Sequence, residues 1–234
     1  MTKEEPEETK KENSQTYCQR KNVSCSACCG INNLDFDENR LREYLTKNTT
    51  EFININLLND KEAVRYRMRK EKENQKLILK QEVYVCPFVG WIDETRKKTG
   101  CLLHSTGSPH KDIGRLKNPQ NYSFYGHSIC QSYDCPAKSK NLLSERIKIN
   151  SSFLYSQIAP NYNLLSALRF LFKDNEKDIE DFIKKNSKKL SKNRLPVDSF
   201  EEIINIKNKT KEEIESLINS LLKKESYLDD EICL

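Results

Sequence analysis

The 234 residues, 36% apolar and 32% charged, suffice for one sizeable domain or a small domain with an appendage, and are too few for two large ones. No run approaches the roughly 20 consecutive apolar residues of a membrane-spanning helix, and Met1 to Lys11 is acidic and lysine-bearing with no apolar stretch, so neither a membrane protein nor a secretory leader is expected and a cytoplasmic location is. With six glycines there is no GxGxxG or GxxxxGKS/T phosphate loop, and a net charge of +5 from 40 basic and 35 acidic residues falls short of a dedicated nucleic-acid binder.

Residues 1–16 hold five glutamates, three lysines and almost nothing apolar, which predicts a disordered tail. Residues 17–137 contain eight of the nine cysteines, all three histidines, the only tryptophan and all six glycines. From Lys138 the composition turns to Leu, Ile, Lys, Glu and Asn, so the chain divides into a cysteine-cluster region, 17–137, and a helical region, 138–234. Asp37 is placed to cap a helix carrying Leu41, Tyr44 and Leu45, and Asp60 one carrying Ala63, Val64 and Met68. Leu77 to Val85, β-branched and partly alternating, predicts a short strand leading into Cys86. Gly100, Gly107, Pro109, Gly114, Pro119, Gly126 and Pro136 punctuate 99–136 too densely for long elements, so something other than a hydrogen-bond ladder has to hold that stretch.

In the second region, Leu164, Leu165, Ala167, Leu168, Phe170, Leu171 and Phe172 are apolar around most of a helix, as expected of a core helix. Ile179, Phe182 and Ile183 mark a helix opened near Asp174, and Ser199 with Glu202 forms a capping box before Ile203, Ile204 and Ile206. Thr210 and Glu213 repeat the box before the stripe Ile214, Leu217, Ile218, Leu221 and Leu222. The fold class expected is mainly α with irregular, metal-organised loops and little β.

Nine cysteines in a reducing compartment cannot mostly be disulfides, so metal binding or thiol chemistry is the better reading. The first group is Cys18, Cys25, Cys28 and Cys29, in which Cys25 and Cys28 have the x2 spacing that lets one tight turn aim two thiolates at one ion. The second group is dispersed: Cys86 in Val-Cys-Pro-Phe, Cys101 in Gly-Cys-Leu-Leu-His, then Cys130 and Cys135 in C-x4-C-P. Eight thiols make two tetrathiolate sets. Adjacent side chains diverge, so vicinal Cys28 and Cys29 point to a sharp backbone fold or to different ions, and Gly30 permits the positive φ such a fold requires.

Cys25-Ser26-Ala27-Cys28-Cys29, then Val85-Cys86-Pro87-Phe88, then Gly100-Cys101-Leu102-Leu103-His104, then Cys130 to Cys135, together resemble the YkgJ-type cysteine-cluster family, described as a zinc- or iron-chelating domain. The resemblance covers about residues 17 to 137 and says nothing of 138–234. It implies ligand roles for Cys25, Cys28, Cys29, Cys86, Cys101, Cys130 and Cys135; Cys18 fits less closely, standing six residues rather than about three before Cys25. Flagellin lysine methylases have a similar cysteine arrangement, but this sequence has no recognisable methyl-donor site, and methyl transfer is no more than an analogy.

Both zinc and an iron–sulfur cluster take four thiolates, and the vicinal pair with the dispersed second group suits either a polynuclear cluster, slightly preferred, or two zincs. A tetrathiolate site around one divalent ion carries a charge of −2, and Arg20, Lys21, Arg96, Lys97, Lys98, Lys111 and Arg115 lie near enough in sequence to offset it. His104 and His127 stand three residues from Cys101 and Cys130 as alternative nitrogen ligands or donors to a bound sulfur, with partly exposed loop histidines the plainer reading; His110 is a weaker candidate. Arg65, Arg67, Arg69 and Lys70, opposed by Glu62, Glu71 and Glu73, read as a solvated helix face rather than a phosphate site. Tyr122, Phe124, Tyr125 and Tyr133 fit packing over a metal site as well as substrate stacking, and Cys233 reads as a tail thiol. Three functions follow: a metal-binding cysteine-cluster protein supporting redox or modification chemistry; a zinc-stabilised interaction module whose C-terminal helices hold a protein partner; and a thiol oxidoreductase.

Overall fold

The computed structural model describes residues 20, 22–55, 60–103, 135, 143–192 and 209–223. Asp37 accepts the Arg40 N–H at 2.8 Å and opens α1, Glu38–Ile53, as the sequence predicts. One face of α1 buries Tyr44, Leu45, Asn48 and Phe52. Helix α2, Asp60–Asn74, begins at Asp60 itself and buries Ala63, Tyr66, Lys70 and Asn74, a stripe at helical period. Two of those four are polar, so the expected solvated face of α2 is corrected at Lys70, which is 0% exposed.

The predicted strand at Leu77 to Val85 is not formed; these residues run through turns with one isolated bridge, Leu34 to Ile78. The reason is local. Asn33 donates from Nδ2 to the Lys80 and Val83 carbonyls (2.8 and 2.6 Å) and accepts the Lys80 N–H at 2.9 Å, occupying backbone groups a ladder would use. The strands lie just downstream: β1, Val89–Trp91, pairs antiparallel with β2, Thr99–Cys101, in the register Val89 to Cys101 and Trp91 to Thr99. Asp93 closes the connection by accepting the Lys97 and Lys98 N–H groups at 2.9 and 2.6 Å. α1 packs directly on β1, with Thr49 Oγ1 accepting the Trp91 N–H at 2.8 Å and Asn48 Nδ2 donating to the Val89 carbonyl at 3.1 Å.

The second region is helical where described: α3, Ser152–Ile158; α4, Tyr162–Leu171; α5, Glu176–Lys185; α6, Ser187–Lys192; and α7, Lys211–Lys223. The expected core helix is α4, but Phe170 is 48% exposed, and the fully enclosed element is α3, all seven of whose residues are buried. A helix surrounded on every side has no amphipathic pattern to find. α5 is capped by Asn175, one residue beyond the expected Asp174. The Thr210 box closes as predicted, with Thr210 N–H on Glu213 Oε2 (2.6 Å) and Glu213 N–H on Thr210 Oγ1 (3.2 Å). Along α7, Ile214, Ile218 and Leu222 are buried. The Ser199 box and the 137–138 boundary lie outside the described residues.

Two apolar clusters form the interior. One gathers α3 to α7 with Val23 and Cys135; the other gathers α1, α2 and the ribbon with Cys29, Cys86 and Phe153. Each fully buried large side chain, such as Phe52, Phe88 or Leu164, contributes roughly 2–3 kcal/mol. The described elements are mainly α with a single two-stranded ribbon. Among them no helix is long and apolar enough to cross a membrane.

Candidate functional site

Cys28 and Cys29 lie on a 3-10 turn, Ala27–Cys29, in which the Cys29 N–H reaches the Ser26 carbonyl at 3.0 Å. The sharp fold expected after the pair is made by Gly30, at φ 75°, which links this turn to a second, Ile31–Asn33. Glycine is required twice over here, because a Cβ at Gly30 would stand 2.0 Å from the Tyr84 carbonyl oxygen. That approach docks the second cysteine motif on the first. The Cys86 N–H donates to the Cys29 carbonyl at 2.9 Å, and the backbone then runs through Phe88 into β1, opposite Cys101. Three sequence-distant motifs are thereby joined through main-chain hydrogen bonds.

Side chains hold the Cys86 segment from behind. Asn74 Nδ2 donates to the Val85 carbonyl (3.3 Å) while its Oδ1 accepts from Tyr44 OH (2.8 Å), and Tyr66 OH reaches the Pro87 carbonyl at 3.3 Å. Burial pushes the Tyr44 phenol up to about 12 and raises that of Tyr66 as well, so both keep their protons at neutral pH. The Cys25 loop is held from the other side by hydroxyls. Ser24 N–H donates to Ser152 Oγ (3.1 Å), Ser26 N–H to Ser156 Oγ (2.9 Å), Ser24 Oγ to the Thr99 carbonyl (2.5 Å), and Ser26 and Thr99 hydroxyls meet at 2.8 Å.

Of the candidate ligands, Cys29 and Cys86 are buried, Cys101 is half-buried and Cys28 is exposed. A hydrogen bond to Cys28, burial, and the neighbouring sulfurs of Cys28, Cys86 and Cys101 together push the Cys29 thiol well up. Cys25, half-buried, and Cys135, buried, pack instead with the helical cluster that also holds Val23. All six are thiols rather than disulfides. Among the described residues, no three His, Cys, Asp or Glu side chains converge at ligand distance on one point. Cys18, Cys130, His104, His110, His127, Tyr122, Phe124, Tyr125, Tyr133 and Cys233 lie outside the described residues.

Of the basic residues expected to offset thiolate charge, Arg20 directs its guanidinium to backbone carbonyls. It donates to the Leu143, Ser144 (3.0 Å) and Ile147 (3.1 Å) carbonyls and lies 4.9 Å over the Tyr155 ring. Sequence reading missed Asn33, Asn74, Tyr66, Thr99 and the serines as supports of the cysteine segments. Two signals were available: serine on both sides of Cys25, and a Ser152/Ser156 pair at helical spacing within SFLYSQI. The chain matches no family model, no curated protein and no solved structure.

Proposed function

We propose that this chain is a metal-binding cysteine-cluster protein of the YkgJ type, whose thiolates chelate an iron–sulfur cluster or zinc in a cytoplasmic, reducing setting. The observation that carries the reading is that Cys28 and Cys29, Cys86 and Cys101, from three separate motifs, stand on backbones tied to each other by hydrogen bonds, within electrostatic reach of the buried Cys29 sulfur though not converged at ligand distance. Each neighbouring sulfur raises the Cys29 thiol, and a cation bound among them would act in the opposite sense. With Zn–S bonds of about 2.3 Å, the sulfurs of one tetrahedral site would stand roughly 3.8 Å apart, so holding zinc would require these side chains to converge. Cys25 and Cys135, with Cys18 and Cys130 outside the described residues, are the remaining thiols of the eight the sequence offers as ligands. In this reading the loops of 17–137 are organised by metal, and the helices of 138–234 are packed on them and offer the surface for a protein partner.

A second reading, thiol–disulfide exchange, is favoured by one feature: exposed Cys28 is hydrogen-bonded to buried Cys29, as an attacking and a resolving thiol would be. Metal analysis with a visible spectrum on anaerobically purified protein separates the two. A brown preparation with stoichiometric iron and sulfide, or a colourless one with stoichiometric zinc, is expected. Chelation should then abolish the cooperative melting of the cysteine region, because thiolate–zinc binding of about 10–16 kcal/mol rivals a domain's net stability. A metal-free protein whose melting curve ignores chelators would sink the metal reading and leave the exchange reading.

A further inference from the structure

The buried hydroxyls of Ser24, Ser26, Thr99, Ser152 and Ser156 form a ladder between the first cysteine loop, the ribbon and α3, and its donors and acceptors can be assigned rung by rung. Ser152 Oγ donates its one proton to the Lys97 carbonyl at 2.6 Å, so its lone pair is what accepts the Ser24 N–H. Ser156 Oγ donates to the Ser152 carbonyl of its own helix at 2.7 Å, and its lone pair accepts the Ser26 N–H. Ser24 Oγ donates to the Thr99 carbonyl, two residues before Cys101. Asn32, just past the vicinal pair, adds a further tie by donating to the Ser156 carbonyl at 3.1 Å. Ser24, Ser26, Thr99 and Ser156 are all 0% exposed and Ser152 is 3% exposed, so water cannot replace these partners.

The tied amides flank Cys25, and the same loop continues through Ala27 into Cys28 and Cys29. We propose that Ser152 and Ser156 are positioning residues of the cysteine centre, so that α3, in the second region of the chain, sets the geometry of the Cys25–Cys29 loop against Cys101. On this view residues 17–137 are not an autonomous chelating unit. The centre is assembled only when the first loop, the ribbon and α3 are together.

The test uses the full-length chain with Ser152→Ala, Ser156→Ala and their double variant, and Ser216→Ala on the exposed face of α7 as control. Two quantities are read: native-state alkylation rates of individual cysteines by iodoacetamide, followed by mass spectrometry, and cobalt(II) affinity from the sulfur-to-cobalt charge-transfer band. Alkylation of Cys25 and Cys28 should accelerate more than that of Cys86, whose neighbours Val85 and Pro87 keep their ties to Asn74 and Tyr66. Cobalt affinity should fall about 10–100-fold, the usual effect of removing an outer-shell partner. Unchanged rates, or a parallel acceleration at Cys86, would overturn the proposal, the latter showing general loosening instead. Should the double variant fail to fold, the single variants Ser152→Ala and Ser156→Ala, each removing the acceptor of one loop amide, are read the same way. The affinity arm rests on the metal reading, whereas the alkylation arm does not. A wild-type chain that takes up no cobalt therefore defeats the metal centre while the alkylation pattern still decides the ladder.

Discussion

Lys70 is the residue whose setting departs furthest from its type. Its side chain is 1% exposed, with Nζ 2.9 Å from Glu51 and 3.2 Å from Glu73, and it crosses from α2 to α1 beside the Tyr66 ring. Removing a lysine from a fully enclosed pair costs about 3–5 kcal/mol, but solvent reaches both carboxylates here, so Lys70→Ala should cost about 2 kcal/mol in chemical denaturation. Burial works against ionised Glu51, yet the hydrogen bond and charge of Lys70, with Arg69, hold its carboxyl below the usual carboxylate range. A depressed folded value means stabilisation that is complete above about pH 4.3, the unfolded glutamate value, and lost as pH falls through the folded one. The melting difference between wild type and Glu51→Gln should therefore be constant near neutrality and vanish toward pH 3. A difference that persists in acid would show that the carboxylate charge is not what matters.

Among the elements, the 3-10 turn carrying the vicinal cysteines depends most on one atom being absent. Gly30→Ala must place a side chain in the left-handed region, at about 1–2 kcal/mol, and also drive its Cβ into the Tyr84 carbonyl. The sum should exceed about 3 kcal/mol, and because the clash is with backbone, Cys86 should separate from Cys29 before the helices melt. Hydrogen exchange at the Cys86 amide, faster in the variant than exchange in α4, reads this directly; equal acceleration everywhere would contradict it. The same turn shows where sequence sufficed. Gly30 announces its conformation because few other residues adopt it, and the Asp37 cap and Thr210 box are legible because capping is local chemistry. The 77–85 strand misled because its competitor, the Asn33 side chain, stands more than forty residues away in sequence. α3 escaped notice for the opposite reason: enclosed on all sides, its apolar residues follow no period, and its two serines face a loop about 130 residues upstream.

At the scale of the whole molecule, the two apolar clusters meet at α3, whose Phe153 ring lies tilted 6.0 Å from that of Trp91 in the ribbon cluster while Leu154 and Tyr155 belong to the helical one. Phe153→Ala removes a buried ring at that junction and should cost about 3–5 kcal/mol. It should also split a single thermal transition into two, measurable by calorimetry, whereas a cavity of equal size at Leu168, inside one cluster, should lower the single transition without dividing it. The mainly helical class was readable from composition and periodicity, but how the regions interlock was not, because the polar groups that join them leave no hydropathic trace. The span of those ties has a consequence during synthesis. Ser26 finds Ser156 across 130 residues and Arg20 finds Ile147 across 127, so at ribosomal speeds of about 5–20 residues per second the nascent cysteine loop waits roughly 7–26 s for α3 to emerge. Throughout that interval the Ser24 and Ser26 amides beside Cys25 lack their native acceptors on α3. The half-made chain is thus the state in which the Cys25 loop is least held, before its own second half has emerged.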